Sequence, residues 1–237
     1  MGVEREAGLS ILESRGWLAA TPMAFRKRFL SASRWRRVEP GGNVTLGGEE
    51  RDDVIGLARG TVAVTSTLGQ AGTPIMHMAH AVFWMGYGPI LLGRSRVVTV
   101  EARTELWIAS VPKAAIIPLL DDTTLWWRCF MRLLAEYGDT SAMIASDLLI
   151  RQSDRRLAAT ILRFAGLRRP GQGPVEQVCV EVTQAELADA ANLSRNTAGT
   201  ILRKFAAKDF IRMGYRGLAV RNPAGLYRLV AGSDLAV

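Results

Sequence analysis

Residues 182–213 read VTQAELADAANLSRNTAGTILRKFAAKDFIRM, and this stretch decides the fold of the C-terminal part of the chain. Thr183 and Glu186 have the spacing of a capping box, which begins a helix. Asn192 follows that helical pattern, and asparagine tolerates the left-handed conformation that a short turn between helices requires. Ser194 is then a suitable N-cap for a second helix. The pattern therefore predicts two short helices joined by a tight turn.

The second of these helices has two distinct faces. Its apolar residues are spaced for one buried face: Ala198, Ile201, Leu202 and Phe205. Its polar residues fall on the opposite side: Arg195, Asn196, Gly199, Thr200 and Arg203. This arrangement predicts a helix-turn-helix whose second helix is presented outward. Residues 211–220 then predict a β-hairpin, the wing of a winged helix.

The positive charge of the chain is concentrated near its C-terminal end. The 237 residues carry a formal net charge of +8, from 30 Lys and Arg against 22 Asp and Glu. Residues 151–237 hold 14 of the basic and 7 of the acidic residues, so they account for +7. A basic block beside a near-neutral block predicts that one domain meets a polyanion and the other has a different task.

Residues 35–108 have the pattern of an antiparallel β domain. Short β-branched runs alternate with glycine and aspartate turns, which predicts a sandwich or barrel. Residues 9–34 predict short helices broken at Gly16 and Pro22. The apolar segment 75–92, IMHMAHAVFWMGYGPILL, resembles a membrane span in length. Its glycines and proline are typical of short strands and turns instead, so we predict no membrane partner.

After Pro118 the sequence predicts one long helix. Asp121, Asp122 and Thr123 offer cap oxygens, and no proline interrupts the chain up to Gln152. Apolar or small residues recur at alternating steps of three and four: Trp127, Phe130, Leu134, Tyr137, Ser141, Ile144 and Leu148. This heptad spacing predicts a dimer seam, in which the helix pairs with its copy across a two-fold axis. The alternative is a long helix packed on its own β domain.

Several of these segments resemble the Crp–Fnr superfamily of transcription regulators. TQAELA at 183–188 and LSRNT at 193–197 resemble its DNA-binding helices. VEPG at 38–41 and LGGEE at 46–50 resemble the first strands of its cyclic-nucleotide-binding jelly roll, and FWMG at 83–86 resembles the later half. We therefore expect an α+β chain with an N-terminal antiparallel β jelly roll, a long dimerisation helix and a C-terminal winged helix-turn-helix domain.

The resemblance implies three parts and two kinds of partner. Residues 1–120 would be the sensory jelly roll with its N-terminal helices, residues 121–152 the dimerisation helix, and residues 153–237 the DNA-binding domain. We expect a cytoplasmic homodimer that binds double-stranded DNA at a near-palindromic site. RNA polymerase is a further expected partner if the protein is an activator.

The expected DNA contacts come from the second helix and its caps. Arg195 can donate two hydrogen bonds to guanine, Asn196 can pair with adenine, and the Thr200 methyl group can touch thymine. Members of the family often carry Glu where Asn196 stands and Arg where Thr200 stands, so a different half-site is expected. Hydroxyl groups and further cations are expected at the phosphates: Thr183, Ser194, Thr197, Arg203, Lys204, Arg212 and Arg216.

The expected effector pocket departs from the family pattern. Its candidate residues are Gly86, Tyr87, Arg96, Val97 and Ser141. In nucleotide-binding members a Gly-Glu pair holds the ribose, and an arginine with a hydroxyl neighbour holds the cyclic phosphate. Here Tyr87 replaces the glutamate and Val97 replaces the hydroxyl neighbour. The resemblance thus implies a degenerate pocket that does not respond to cyclic AMP.

Other chemistries have little support in the sequence. Arg96 is expected to pair with an acid such as Glu101 or Glu49. Two cysteines are too few for a disulfide framework, a four-cysteine zinc site or an all-cysteine iron–sulfur site. His77 and His80 point to opposite faces of a strand, so we expect no haem, no other cofactor and no metal. We expect no enzyme activity either, because no nucleophile–base pair is visible.

Three alternative functions remain open on the sequence alone. The first is a transcription activator gated by cyclic AMP or cyclic GMP. The second is an architectural protein that binds DNA without sequence preference. The third is a haem-based gas sensor.

Overall fold

The computed structural model describes residues 2–68, 74–168, 178–215 and 217–232. The chain divides into two compact units. The N-terminal unit comprises residues 1–71 and 79–141, and the C-terminal unit comprises residues 72–78 and 142–237. Within the described residues, every helix is too short or too polar to cross a membrane.

Three helices begin the N-terminal unit: α1 (Gly2–Ser14), α2 (Gly16–Ala19) and α3 (Met23–Ser31). Gly16 has a φ of +67°, a conformation that costs glycine little, and Pro22 is the N-cap of α3. The predicted breaks at these two residues are therefore confirmed.

Two four-stranded sheets form the body of this unit. The first has the order β1 (Arg34–Val38), β8 (Leu106–Pro112), β3 (Asp53–Arg59) and β6 (Phe83–Met85). The second has the order β2 (Asn43–Thr45), β7 (Val98–Ala102), β4 (Thr61–Ser66) and β5 (Ile75–His80). The pairs β3·β8 and β4·β7 are antiparallel, as are β1·β8, β2·β7 and β3·β6. The predicted antiparallel jelly roll is confirmed.

The apolar segment 75–92 folds into short elements, as predicted. It forms β5, β6 and the helix α4 (Tyr87–Leu92). Gly86 and Gly93 flank α4 with φ values of +98° and +59°. Positive φ at both ends explains why glycine stands at these two positions.

An aromatic cluster fills the core between the N-terminal helices and the first sheet. The Trp17 ring lies edge-on to Phe29 and Trp84, with centroid distances of 5.6 and 6.0 Å. Phe25 stacks on Phe29 at 5.7 Å. Aromatic pairs in these geometries contribute about 0.5–1.5 kcal/mol each beyond the area that they bury. The cluster also receives Phe130 from the long helix, with its ring centroid 6.0 Å from that of Trp17.

The region predicted as one helix over residues 121–152 contains a break near its start. The helix α5 (Lys113–Asp121) ends there, and α6 (Thr124–Leu148) begins after a two-residue gap. Thr123 explains the new start, because its hydroxyl accepts a hydrogen bond from the Leu125 amide at 3.3 Å. The long helix therefore has 25 residues and ends before the predicted limit at Gln152.

The C-terminal unit is a winged helix built on α7 (Ser153–Phe164). Two further helices, α8 (Gln184–Ala190) and α9 (Arg195–Ala207), form the predicted helix-turn-helix. A three-stranded antiparallel sheet has the order β10 (Ile211–Met213), β11 (Leu218–Val220) and β9 (Val178–Val180). The β10–β11 hairpin is the predicted wing. The helix α10 (Pro223–Ala231), which the sequence reasoning did not predict, completes the unit.

A buried ion cluster lies where α6 meets α7 within the C-terminal unit. The side chain of Asp147 is fully buried, and its two carboxylate oxygens contact Nε of Arg163 at 3.2 Å and Nε of Arg168 at 3.0 Å. Arg163 is 1% exposed and also donates a hydrogen bond to the Met76 carbonyl oxygen. Burial lowers the pKa of Arg163, and the carboxylate of Asp147 opposes that shift. The cluster therefore depends on Asp147 to compensate a buried cation.

Candidate DNA-binding surface and effector pocket

The turn between α8 and α9 is held by side-chain caps on both helices. The Thr183 hydroxyl accepts from the Glu186 amide at 3.2 Å, and the Glu186 carboxylate accepts from the Thr183 amide at 2.8 Å. Asn192 has a φ of +52°, as the turn requires. Ser194 caps α9 by accepting from the Thr197 amide at 3.1 Å. These caps fix the direction in which α9 leaves the turn.

Two residues that the sequence reasoning missed hold this turn in place. Arg156 donates from Nε to the Ala191 carbonyl at 2.7 Å and from Nη1 to the Ile150 carbonyl at 2.6 Å. Gln184 donates from Nε2 to the Arg195 carbonyl at 3.3 Å. A Cβ atom on Gly199 would lie 2.5 Å from the same amide nitrogen, so glycine allows α8 and α9 to approach closely. An isolated glycine inside a helical pattern was the available signal for this contact.

The orientation predicted for α9 agrees with the observed burial except at Gly199, which was placed on the polar side and is buried. Its apolar face is buried: Ala198, Ile201, Leu202 and Phe205. The predicted DNA-contacting residues are exposed: Thr183, Ser194, Arg195, Asn196, Thr197, Thr200, Arg203 and Lys204. Arg212 in the wing is also exposed, whereas Arg216 lies outside the described residues. The structure therefore presents one polar surface, centred on the first three turns of α9.

Hydrogen bonds within this surface already orient some of its side chains. The Ser194 and Thr197 hydroxyl oxygens are 2.8 Å apart. Arg203 donates from Nη2 to the Thr200 hydroxyl at 3.1 Å. A groove of about 810 Å³ runs beside the surface, and Lys204 and Lys208 line it together with Ser153 at the start of α7. The surface thus combines hydrogen-bonding groups with cations. This combination suits a nucleic acid, because its phosphates are anionic and its base edges carry hydrogen-bond donors and acceptors.

In the expected effector pocket, Arg96 is already engaged by the protein. Its side chain is 3% exposed and forms an ion pair with the Asp53 carboxylate. Arg96 also donates to the Asp53 carbonyl oxygen at 2.8 Å. Burial lowers the pKa of Arg96, and Asp53 opposes that shift. The expected pairing of Arg96 with an acid is confirmed, but the acid is Asp53; Glu101 lies 3.6 Å from Arg103, and Glu49 lies 3.7 Å from Arg51.

The neighbouring pocket residues form an aromatic contact rather than a polar site. The rings of Tyr87 and Tyr137 are 4.8 Å apart, and Phe83 meets Tyr137 at 5.7 Å. Burial raises the pKa of Tyr137 well above its usual value, and its hydroxyl has no hydrogen-bond partner within the described residues. A Cβ atom on Gly86 would clash with the Asp53 carbonyl and with Arg96. The structure therefore brings Gly86, Tyr87 and Arg96 close to one another.

The remaining pocket candidates contribute less. Val97 is half-buried, and its carbonyl accepts from the Thr67 amide at 2.9 Å. Ser141 is exposed on α6. His80 lies beside a hydroxyl, with Nδ1 3.1 Å from Thr61 Oγ1. Among the described residues, no three histidine, cysteine or acidic side chains are placed to hold one metal ion.

The first half of the predicted dimer seam packs against the core of its own chain. Phe130 is fully buried, and its ring meets Trp17 at 6.0 Å and Phe29 at 6.4 Å within the same chain. Trp127, Leu134 and Tyr137 are partly buried and pack against the same core. Of the other seam residues, Ser141 and Leu148 are exposed and Ile144 is half-buried. The alternative of a helix packed on its own domain therefore describes this half of α6.

The stripe that α6 leaves uncovered is displaced by one residue from the predicted seam. Its members are all exposed and keep alternating steps of four and three: Met131, Ala135, Gly138, Ala142, Ala145 and Leu149. Leu149 continues the helical pattern beyond the last assigned residue, because its amide donates to the Ala145 carbonyl at 3.1 Å. A Cβ atom on Gly138 would meet nothing within 4 Å. Two interleaved heptad patterns thus occupy neighbouring faces of the helix.

The comparisons with known proteins agree with this architecture. Residues 155–229 match the family model described as a Crp-like helix-turn-helix domain. The C-terminal part of the chain is a Crp-like helix-turn-helix domain. The Crp–Fnr resemblance predicted from the sequence is thereby confirmed, and the helices and antiparallel sheets have the fold of Crp-family structures.

Three solved structures show the same fold along most of the chain. CLP of Xanthomonas campestris, a c-di-GMP-responsive global regulator, has a TM-score of 0.65 at 18% identity and covers 84% of this chain and 99% of its own. A CRP-family transcriptional regulator of Thermus thermophilus has a TM-score of 0.65 at 22% sequence identity, and the match covers 83% of this chain and 96% of that one. FixK2 of Bradyrhizobium japonicum has a TM-score of 0.67 at 16% sequence identity, and the match covers 86% of this chain and 98% of that one. A search of curated protein sequences found no significant match.

Proposed function

We propose that the protein is a homodimeric, sequence-specific DNA-binding transcription regulator of the Crp–Fnr type that does not respond to cyclic AMP. The observation that carries this proposal is α9 itself. Its apolar face is buried, both flanking caps are formed, and its polar face is exposed on a Crp-like domain. A helix presented in this way fits the major groove of B-DNA. Such a regulator acts in the cytoplasm, on the chromosome.

The proposed base contacts lie at the start of α9. Arg195 donates to guanine O6 and N7, Asn196 pairs with adenine, and the Thr200 methyl group contacts thymine. Ser194 and Thr197, with the amides of the first helical turn, bind phosphate oxygens. These phosphate contacts fix the register, and the base contacts provide the sequence preference.

The proposed dimer uses the exposed stripe of α6 rather than the face that packs on the core. Small residues at Ala135, Gly138, Ala142 and Ala145 allow two helices to approach closely along a heptad seam. Dimeric helix-turn-helix proteins place their two recognition helices about one helical turn of DNA apart, and we expect the same of the two copies of α9. The expected operator is therefore near-palindromic. If the protein is an activator, RNA polymerase is its further partner.

The pocket contacts support the view that cyclic AMP is not the effector. The Arg96 guanidinium, which a cyclic phosphate would need, already forms an ion pair and a hydrogen bond with Asp53. The Tyr87 ring packs against Tyr137, and Tyr87 stands at the sequence position where nucleotide-binding members carry glutamate. A cyclic nucleotide would have to displace a buried ion pair, which costs several kcal/mol.

One experiment tests the proposed function directly. The full chain is used to select duplexes from a random pool, and the enriched sequences are titrated with and without cyclic AMP. A near-palindromic motif whose affinity is unchanged by the nucleotide supports the proposal. A pool without any motif would instead favour an architectural DNA-binding protein. Tighter binding with cyclic AMP or cyclic GMP would favour a nucleotide-gated activator, and a Soret absorption band in the purified protein would favour a haem sensor.

A further inference from the structure

The outward face of α9 is centred on Asn196, Thr200 and Arg203. Of these three residues, Arg203 was expected only to contact phosphate. At 3.6 residues per turn, successive residues are separated by about 100° around the helix axis. On this scale Thr200 and Arg203 lie about 40° and 20° from Asn196, on either side of it. The buried residues Ala198, Ile201, Leu202 and Phe205 are centred on the opposite side of the helix. Arg203 therefore occupies the middle of the exposed face.

The conformation of Arg203 is fixed by its own helix. Nη2 donates to the Thr200 hydroxyl at 3.1 Å, one turn earlier in the chain. Nη1 lies 3.7 Å from the position that a Cβ atom on Gly199 would occupy. The side chain thus runs back over the preceding turn towards the N-terminus, as long helical side chains do. Its guanidinium is held over residues 199 and 200, close to the part of α9 that enters the groove.

We propose that Arg203 is a second base-reading arginine and determines sequence specificity, with Thr200 as its positioning residue. The inference rests on the proposed function. Thr200 takes one of the five N–H donors of the guanidinium, and four remain. Two parallel donors are enough for guanine O6 and N7. Because the hydrogen bond to Thr200 restricts the side chain before DNA binds, less conformational entropy is lost on contact.

The neighbouring cation provides a matched comparison. Lys204 lies about 80° from Asn196 around the helix, at the flank of the exposed face. It lines the groove beside α9 together with Asn196 and Thr200. A lysine is a point charge without the planar fork of arginine, so at this flanking position we expect Lys204 to bind phosphate. Arg203 and Lys204 are thus adjacent exposed cations with different expected roles.

The test compares the DNA motifs selected by four variants with that of the full wild-type chain. Arg203→Ala should lose preference at one base pair in each half-site, and its affinity for the wild-type motif should fall roughly 5- to 150-fold for each half-site. Arg203→Lys keeps the charge and should lose the same preference. Thr200→Val keeps the methyl group but removes the acceptor, so it should weaken preference at the same position. Lys204→Ala should keep the motif, weaken all sequences alike and lower the salt slope by about 1 for each chain of the dimer.

The outcomes separate this inference from the function on which it rests. If the wild type selects a motif and Arg203→Ala selects the same one with equal losses on motif and random DNA, Arg203 is not a base reader. If Arg203→Lys keeps the full preference at that base pair, the contribution of Arg203 is limited to its positive charge. A wild type that selects no motif would overturn the proposed function itself.

Discussion

Replacing Asp147 with alanine tests the buried ion cluster of the C-terminal unit. The substitution leaves Arg163, which is 1% exposed, without the carboxylate that compensates its charge. Removing one partner of a buried ion pair costs about 3–5 kcal/mol. Domains of this size have a free energy of unfolding of about 5–15 kcal/mol, so the variant should lose a large fraction of it. With a typical urea dependence, the unfolding midpoint should fall by roughly 1–3 M.

The distribution of tryptophans makes this effect measurable for one unit at a time. All six tryptophans lie between residues 17 and 127, within the N-terminal unit. Tryptophan fluorescence therefore reports unfolding of that unit, whereas far-UV circular dichroism reports the helices of both. We expect Asp147→Ala to shift an early part of the dichroism transition and to leave the fluorescence transition largely unchanged.

Two further variants distinguish charge compensation from simple packing. Arg168→Ala should cost about 1 kcal/mol or less, because that side chain is 25% exposed and remains partly hydrated. The double variant Asp147→Leu with Arg163→Met removes both charges and should recover more than half of the loss. The reasoning is refuted if Asp147→Ala unfolds at the wild-type urea concentration, or if the double variant is no more stable than the single one.

Three other substitutions test the rest of the account. Arg195→Ala should weaken operator binding by about 1–3 kcal/mol and relax one base position in a binding selection, and an equal loss on random DNA would contradict that role. Ala142→Glu should convert the dimer to a monomer in sedimentation velocity, because it places like charges together along the α6 stripe, and an unchanged sedimentation coefficient would rule out that seam. Arg96→Ala should destabilise the N-terminal unit by about 1–3 kcal/mol, because the Asp53 carboxylate loses its buried partner and keeps only the ion pair with Arg51 at 2.9 Å. The measurement is a urea titration followed by fluorescence, and an unchanged midpoint would show that the pair is dispensable.

The helix-turn-helix could be predicted because its signals are local. Caps such as Ser194 act within one helical turn, and the left-handed Asn192 follows from residue chemistry alone. The buried face of α9 follows from a 3.6-residue period. Short β-branched runs with glycine turns identified an antiparallel β domain in the same way, and the Crp–Fnr resemblance added the jelly-roll expectation. Each of these features is decided by residues close together in the chain.

The errors concern partners that are distant in sequence. Arg96 pairs with Asp53, 43 residues away, and spacing alone did not select it over Glu49 or Glu101. The heptad pattern through Phe130 was real, but periodicity does not tell whether a partner helix or the chain's own core covers the face. Trp17 and Phe29 decide that question, because they reach Phe130 only through the tertiary fold. Asp147 likewise gave no sequence signal, since its partners are brought to it by packing.

The number of chains bound to one selected duplex tests the central claim most directly. The full chain should be mixed with a duplex that carries both half-sites and with one in which a half-site is scrambled, and the mass of each complex measured. We predict two chains on the intact duplex, with half-site centres about 10 base pairs apart, and much weaker binding to the scrambled one. A single chain per duplex, or equal affinity for both duplexes, would contradict the claim that paired α9 helices read a near-palindromic site.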